Sequence, residues 1–423
     1  MIEMLTRGIR RHFSGSDSRY VFTAAAAPSP RWWPARTDLY LHVPFCRYLC
    51  PHCPYYKERY QPERIGPFVE AVRREAALWA ARLGRCRVGS LYIGGGTPML
   101  LGDRLGDVLD DLRERFDVTG GIGIELNPTD VTPAAVARLR RAGVNRVSLG
   151  VQSFSADSLR IIGRPYPPRT AHTAVERLRD EGFDVVNLDL MFALPGQGLD
   201  PLRRDIDVAL ATGADQLTFY PLFTFPHTPA GRRRGLRRLR MPNLLQRRRH
   251  YRCLHAAMMD AGLRRVSVWG FARPGRARYS SVTRTGYIGL GPGAGGHLPG
   301  QFVFNTFSVA HYQRRIFTGR FATTLTMDLT DAMERYYWLY WRLYEGRLPA
   351  EALSDHFAAD RRALRWLRAA RWLGLWRPAD DDLRLTERGA FWIHWLQNQF
   401  ILRYIATLWR VATADPFPAR VEL

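Results

Sequence analysis

The chain has 423 residues, 46% of them apolar and 12% aromatic. That is enough for one large domain with a smaller one attached, and too hydrophobic for a disordered protein. The formal charge of +23 is almost all arginine, since Lys57 is the only lysine, so a coding bias explains it as well as an anionic partner does.

Met1 to Phe13 carries Arg7, Arg10 and Arg11 with no long apolar stretch, and reads as a short amphipathic helix, not a signal peptide. Residues 14–37 read as a loose lead-in, which makes 1–37 an N-terminal extension. Leu39 to Val43 is a short apolar strand. It runs into a loop with Cys46, Cys50 and Cys53 in C-x3-C-x2-C spacing. Three thiolates on one tight loop can hold three irons of a [4Fe–4S] cube and leave the fourth iron open to a small molecule. The same thiolates with His42 or His52 could instead make a four-ligand zinc site. The odd cysteine count argues against a disulfide framework, and Cys86 and Cys253 read as ordinary buried residues.

Strands and helices then alternate. Helical periodicity marks Pro67 to Leu83, Asp103 to Phe116, Pro133 to Ala142 (with Thr132 as N-cap), Thr170 to Glu181 and Leu202 to Ala211. Between them lie strands Ser90 to Ile93, Gly121 to Leu126, Arg146 to Gly150, Val185 to Leu190 and Gln216 to Tyr220. This order predicts an α/β fold with a parallel sheet, whose chemistry gathers at the C-terminal strand ends. Arg232 to Arg240 reads as a solvated arginine run, Leu244 to Ala261 as a helix and Val266 to Trp269 as a strand. Tyr287 to Gly296 reads as a glycine-rich turn. From about Asp328 the chain is helical and rich in tryptophan. Leu353 to His356, Ala363 to Leu373 and Leu383 to Thr386 fit a winged-helix-like unit, but no base-reading helix stands out, so a nucleic-acid partner is not expected. Phe391 to Trp409 is too polar for a lipid-exposed span.

Five further motifs follow the cysteine loop in order: Gly94-Gly95-Gly96-Thr97-Pro98, Glu125-Leu126-Asn127-Pro128, Ser148 to Phe154, Asn187-Leu188-Asp189-Leu190 and Leu194-Pro195-Gly196-Gln197. Together they resemble the oxygen-independent coproporphyrinogen III oxidase-like branch of the radical S-adenosylmethionine (SAM) superfamily. The resemblance covers about residues 38–300, and more loosely 301–423. It implies a partial (β/α)6 TIM-like barrel over 38–300 with a mostly helical, winged-helix-like C-terminal domain over 301–423. It also implies a [4Fe–4S] cluster on Cys46, Cys50 and Cys53, with SAM chelating the open iron and cleaved to a 5′-deoxyadenosyl radical.

The resemblance further implies SAM contacts. Gly95 and Gly96 would hold its amino group, Glu125 its ribose hydroxyls, and Tyr40 would lie against it. A second SAM would touch His52, Gly96, Thr97, Gln152, Arg164 and Asp189. From the residues alone, Tyr40 could equally be core packing, and Arg164 and Asp189 could pair with each other.

Three departures set the subfamily: the segment before Tyr40 does not match the dehydrogenase pattern, and two stretches further on also differ. Tyr55 stands where the porphyrinogen dehydrogenases carry a further cysteine. Tyr279 to Tyr287 lacks the His-Asn-x-x-Tyr-Trp stretch of the related haem chaperones. By elimination the expectation is methyl or methylene transfer from a second SAM to an unsaturated small molecule, with no identifiable catalytic base. Porphyrinogen decarboxylation and haem carriage are the alternatives. A flavodoxin- or ferredoxin-type electron donor and a cytoplasmic location go with this reading.

Overall fold

The computed structural model describes residues 20–232, 240–281 and 285–423. The helix read over Met1 to Phe13, most of the arginine run and part of the Tyr279 to Tyr287 stretch lie outside them.

The first described strand is β1 (Val21–Ala24), inside the expected loose lead-in. Six parallel strands follow: β2 (Arg36–Val43), β3 (Arg87–Gly95), β4 (Ile122–Leu126), β5 (Arg146–Gln152), β6 (Val185–Phe192) and β7 (Gln216–Pro221). They neighbour one another in chain order, as β/α units require. The intervening helices are α1 (Ile65–Leu83), α2 (Arg104–Arg115), α3 (Pro133–Arg141), α4 (Pro168–Asp180) and α5 (Leu199–Ala211). Thr132 does cap α3, its hydroxyl accepting from the Ala135 amide at 3.2 Å.

Alternation along the strands decides what each face does. Leu39, Leu41, Leu91, Ile93, Ile124, Leu149, Leu188 and Phe219 are buried in one core with the helices. Their neighbours Tyr40, Tyr92, Glu125, Ser148, Asn187, Asp189, Thr218 and Tyr220 line a single cavity. The strands therefore pair an apolar outer face with a polar inner one.

After α6 (Leu244–Asp260), the expected strand at Val266 to Trp269 is displaced to β8 (Gly270–Ala272), which pairs antiparallel with β7. The Val266 amide instead bonds the Gly270 carbonyl at 2.8 Å, turning the chain before the strand begins. The glycine-rich turn is the centre of a hairpin, β9 (Tyr287–Leu290) and β10 (Gly295–Leu298), with β9 parallel to β2. The sheet continues past residue 300 through β11 (Gln301–Asn305) and β12 (Thr323–Asp328) to β1. Between β11 and β12 lies α7 (Val309–Phe317).

Helical structure takes over at α8 (Asp331–Glu345). Next come β13 (Arg347–Pro349), α9 (Ala350–Phe357), α10 (Arg361–Trp372), β14 (Trp376–Ala379) and β15 (Asp382–Leu385), the winged-helix-like unit. The long α11 (Glu387–Ala414) returns across the cavity. Among the described residues no helix is long and apolar enough to cross a membrane.

Candidate active site

The cysteine loop leaves β2 and is closed by a short parallel bridge, Phe45–Cys46 against Glu58–Arg59. The Tyr60 amide bonds the Cys46 carbonyl at 2.9 Å, and Lys57 Nζ donates to the Cys53 carbonyl at 2.9 Å. Burial pushes the Cys46 thiol up to about 11, although the Thr97 hydroxyl donates to its sulfur at 3.6 Å. A thiolate there needs a compensating cation, which ligated iron supplies. Among the described residues no three His, Cys, Asp or Glu side chains converge on a single-ion site. Three thiols along one loop, one of them already served by a hydroxyl donor, fit one sulfur to each of three irons.

The glycines of the next motif are shaped by this loop. A Cβ at Gly96 would lie 2.5 Å from the Phe45 carbonyl oxygen, and Gly95 has φ +107°. The Gly96 and Thr97 amides bond the Val43 and Phe45 carbonyls, both at 2.7 Å. Only glycine lets β3 come this close to the cysteine loop.

Glu125 is half-buried in the cavity lining, and desolvation pushes its carboxyl up to about 7. It accepts from the Tyr92 hydroxyl and from the Gly95 amide at 3.3 Å. Tyr40 lines the cavity, but its hydroxyl is committed to His42 Nδ1 at 2.8 Å. His42 Nε2 in turn donates to the Tyr56 carbonyl at 2.9 Å, which fixes the tautomer. His52 donates from Nδ1 to the Ile162 carbonyl at 3.1 Å, leaving Nε2 as its acceptor nitrogen. Burial first, and Arg164 second, hold its pKa down to about 4, so the ring is neutral.

Gln152 ends β5 with φ +69°, a left-handed conformation that costs a non-glycine residue about 1 kcal/mol. Its side-chain oxygen accepts from the Tyr220 hydroxyl. Such strain is held where a side chain must be aimed. Arg164 Nη1 donates to Asn127 Oδ1 at 2.6 Å. Asp189 accepts from Ser148 Oγ at 2.6 Å and Asn187 Nδ2 at 3.0 Å. Arg164 and Asp189 thus bond other residues and not each other. Burial raises the Asp189 carboxyl against these donors.

All twelve site residues expected from sequence line this one cavity of about 800 Å³. Sequence reasoning gave no role to Tyr92, Asn127, Ser148, Asn187 and Tyr220, which hold those residues in place. The signal was present as polar residues at every second position of otherwise apolar strands. The C-terminal region adds to the lining Tyr340, Trp341 and Tyr344 of α8, and His394, Asn398 and Trp409 of α11. Tyr55 projects into the cavity, 55% exposed.

Residues 40–209 match the family model of the radical SAM superfamily. The heme chaperone HemW of Bacillus subtilis is 32% identical over 280 residues, covering 64% of this chain and 74% of that protein. The oxygen-independent coproporphyrinogen III oxidase of Bradyrhizobium diazoefficiens is 30% identical over 323 residues, 70% of each. The solved structure of Escherichia coli coproporphyrinogen III oxidase (HemN), described as a radical SAM enzyme, superposes with a TM-score of 0.71 at 22% identity over 91% of both chains. The chain belongs to the radical SAM superfamily, with the [4Fe–4S] cluster and SAM that this family uses. Within the superfamily it belongs to the HemN-like branch, and its core is the barrel-like α/β fold of that branch.

These relatives overturn the expected methyl or methylene transfer. That expectation rested on what three stretches lack: the segment before Tyr40, the position of Tyr55 and the segment before Tyr287. Similarity over more than half of the chain points instead to proteins named for haem and coproporphyrinogen.

Proposed function

We propose that this protein is a radical SAM enzyme whose substrate is a tetrapyrrole, and that it oxidatively decarboxylates a propionate side chain of a porphyrinogen. The observation that carries the reading is the cavity itself. The cysteine loop and the SAM-contact residues share it with the rings of Tyr340, Trp341 and Tyr344 from α8 and of Trp409 from α11. The four separate pyrrole rings of a porphyrinogen can each pack against such rings. The Arg164 guanidinium, whose Nε has no partner among the described residues, suits a carboxylate of the substrate or of a SAM.

Bound cluster and SAM would supply a 5′-deoxyadenosyl radical that takes one hydrogen atom from the propionate β-carbon. The balance then requires loss of CO2 and of one electron to an acceptor, leaving a vinyl group. In this reading Cys46, Cys50 and Cys53 hold the cluster. Gly95, Gly96 and Glu125 orient SAM, and the ring of Tyr40 packs against it. Gln152, Arg164 and Asp189, with His52 and Thr97, receive a second SAM or position the carboxylate of the substrate. Neutral His52 presents an acceptor and adds no charge. The electron donor is a low-potential flavodoxin or ferredoxin, and the compartment is the cytoplasm.

A second reading, haem carriage, draws support from the HemW relatives. Anaerobic incubation with SAM, reductant and either coproporphyrinogen III or haem separates the two. Decarboxylation gives 5′-deoxyadenosine and a vinyl product. Carriage gives a stable haem complex with no 5′-deoxyadenosine.

A further inference from the structure

We infer that Asn127 is a positioning residue. It relays the Arg164 guanidinium to the sulfur of Cys46 and so sets how readily the cluster accepts an electron. The inference rests on the cluster assignment above and goes beyond it.

Three links make the relay: Arg164 Nη1 to Asn127 Oδ1 at 2.6 Å, Asn127 Nδ2 to Thr97 Oγ1 at 3.1 Å, and Thr97 Oγ1 to Cys46 Sγ at 3.6 Å. The direction of every link is forced. A guanidinium can only donate, so the carboxamide must turn its oxygen to Arg164 and its NH2 to Thr97. The threonine oxygen accepts that proton, and its own hydroxyl proton is left for the sulfur. Positive charge at one end therefore polarises each successive donor toward the thiolate, and bonds in such a chain strengthen one another.

The backbone holds the relay rigid. The Thr97 amide is fixed on the Phe45 carbonyl, next to Cys46, and Gly96 permits that approach. Asn127 directly follows the last residue of β4, and Thr97 follows the end of β3. Cys46 and Thr97 are buried, 8% and 3% exposed. Solvent offers the sulfur little competing hydrogen bonding. A hydrogen bond to a cluster sulfur draws electron density away and raises the reduction potential. Arg164 lines the cavity, so an anionic group bound there also acts on the cluster through Asn127.

The test is an EPR-monitored redox titration of the reconstituted protein without substrate, at about four irons per chain. Asn127→Ala and Thr97→Val should each make the one-electron reduction several-fold less favourable, up to tenfold, or about 59 mV. Thr97→Ser should restore the wild-type potential. Asn127→Asp keeps the shape but reverses the polarity, because a carboxylate takes the Thr97 hydroxyl; its potential should fall at least as far as that of Asn127→Ala. The Thr97→Val/Asn127→Ala double variant should match Thr97→Val alone, since Asn127 acts only through Thr97. An unchanged potential in Asn127→Ala and Asn127→Asp overturns the relay, and so do additive effects in the double variant. Wild-type protein that binds no iron would refute the cluster assignment instead, a distinguishable failure.

Discussion

Glu75 is buried and Glu125 half-buried, and both carboxyls are raised to about 7 by desolvation, yet they belong to different kinds of region. Glu75 lies on α1, behind the sheet. It accepts from the Gly291 amide, the Tyr312 hydroxyl and Asn305 Nδ2, each at 2.7 Å. Those donors tie α1 to the glycine-rich hairpin, to β11 and to α7. Glu125 lies at the mouth of the sheet, with one hydroxyl and one long amide contact, and faces open space. The same pKa thus marks a structural hub in one place and a carboxylate open to the cavity, the proposed SAM contact, in the other. What separates them is whether the protein itself fills the carboxylate's hydrogen-bonding capacity.

The sharpest way to break this contrast is at the mouth. Cys46→Ala, Cys50→Ala or Cys53→Ala should each lower reductive SAM cleavage more than about a thousandfold, because no cluster would deliver the electron. Cleavage that survives all three substitutions would falsify the cluster assignment. Behind the sheet, Glu75→Ala should cost about 3 kcal/mol, since it orphans three buried donors. A melting temperature lowered by roughly 3–6 °C is the readout. A change under about 2 °C would mean that water replaces the carboxylate. Glu125→Gln should reverse the pattern, raising the KM for SAM about tenfold at nearly unchanged melting temperature.

A pH series sharpens the contrast further. The Glu75 carboxyl is raised in the folded state, so the fold binds its proton more tightly than the unfolded chain does. Its contribution is complete below the ordinary glutamate pKa of about 4.5 and is lost as pH rises through about 7. The stability difference between wild type and Glu75→Gln should therefore shift against wild type across that window. The difference isolates Glu75 from His42 and His52, whose depressed pKa values act in the opposite direction. The smallest effect is expected at Tyr55. Tyr55→Phe should leave melting unchanged and weaken tetrapyrrole affinity by about threefold, because it removes only a hydroxyl from the cavity lining and nothing from the core.

The contrast also explains what the sequence made legible. The six parallel strands were readable from apolar runs such as Leu39 to Val43 and Val185 to Leu190, and the cluster loop from cysteine spacing. The hub was not readable. Glu75 looks like one more charged helix residue until Asn305 and Tyr312, over 200 positions away, come to meet it. The β1 strand was hidden for a similar reason. Thr23 and Ala24 pair with β12, some 300 residues later, and local composition carries no trace of such a partner. The reaction was misread because three local departures counted for more than the ordered set of motifs that is present.

The most direct test of the account is an anaerobic assay with reconstituted protein, SAM, a low-potential reductant and coproporphyrinogen III, read by mass spectrometry. The account predicts one 5′-deoxyadenosine for each CO2 lost and a vinyl-bearing tetrapyrrole, all absent in Cys46→Ala. An unaltered tetrapyrrole beside intact SAM would contradict it.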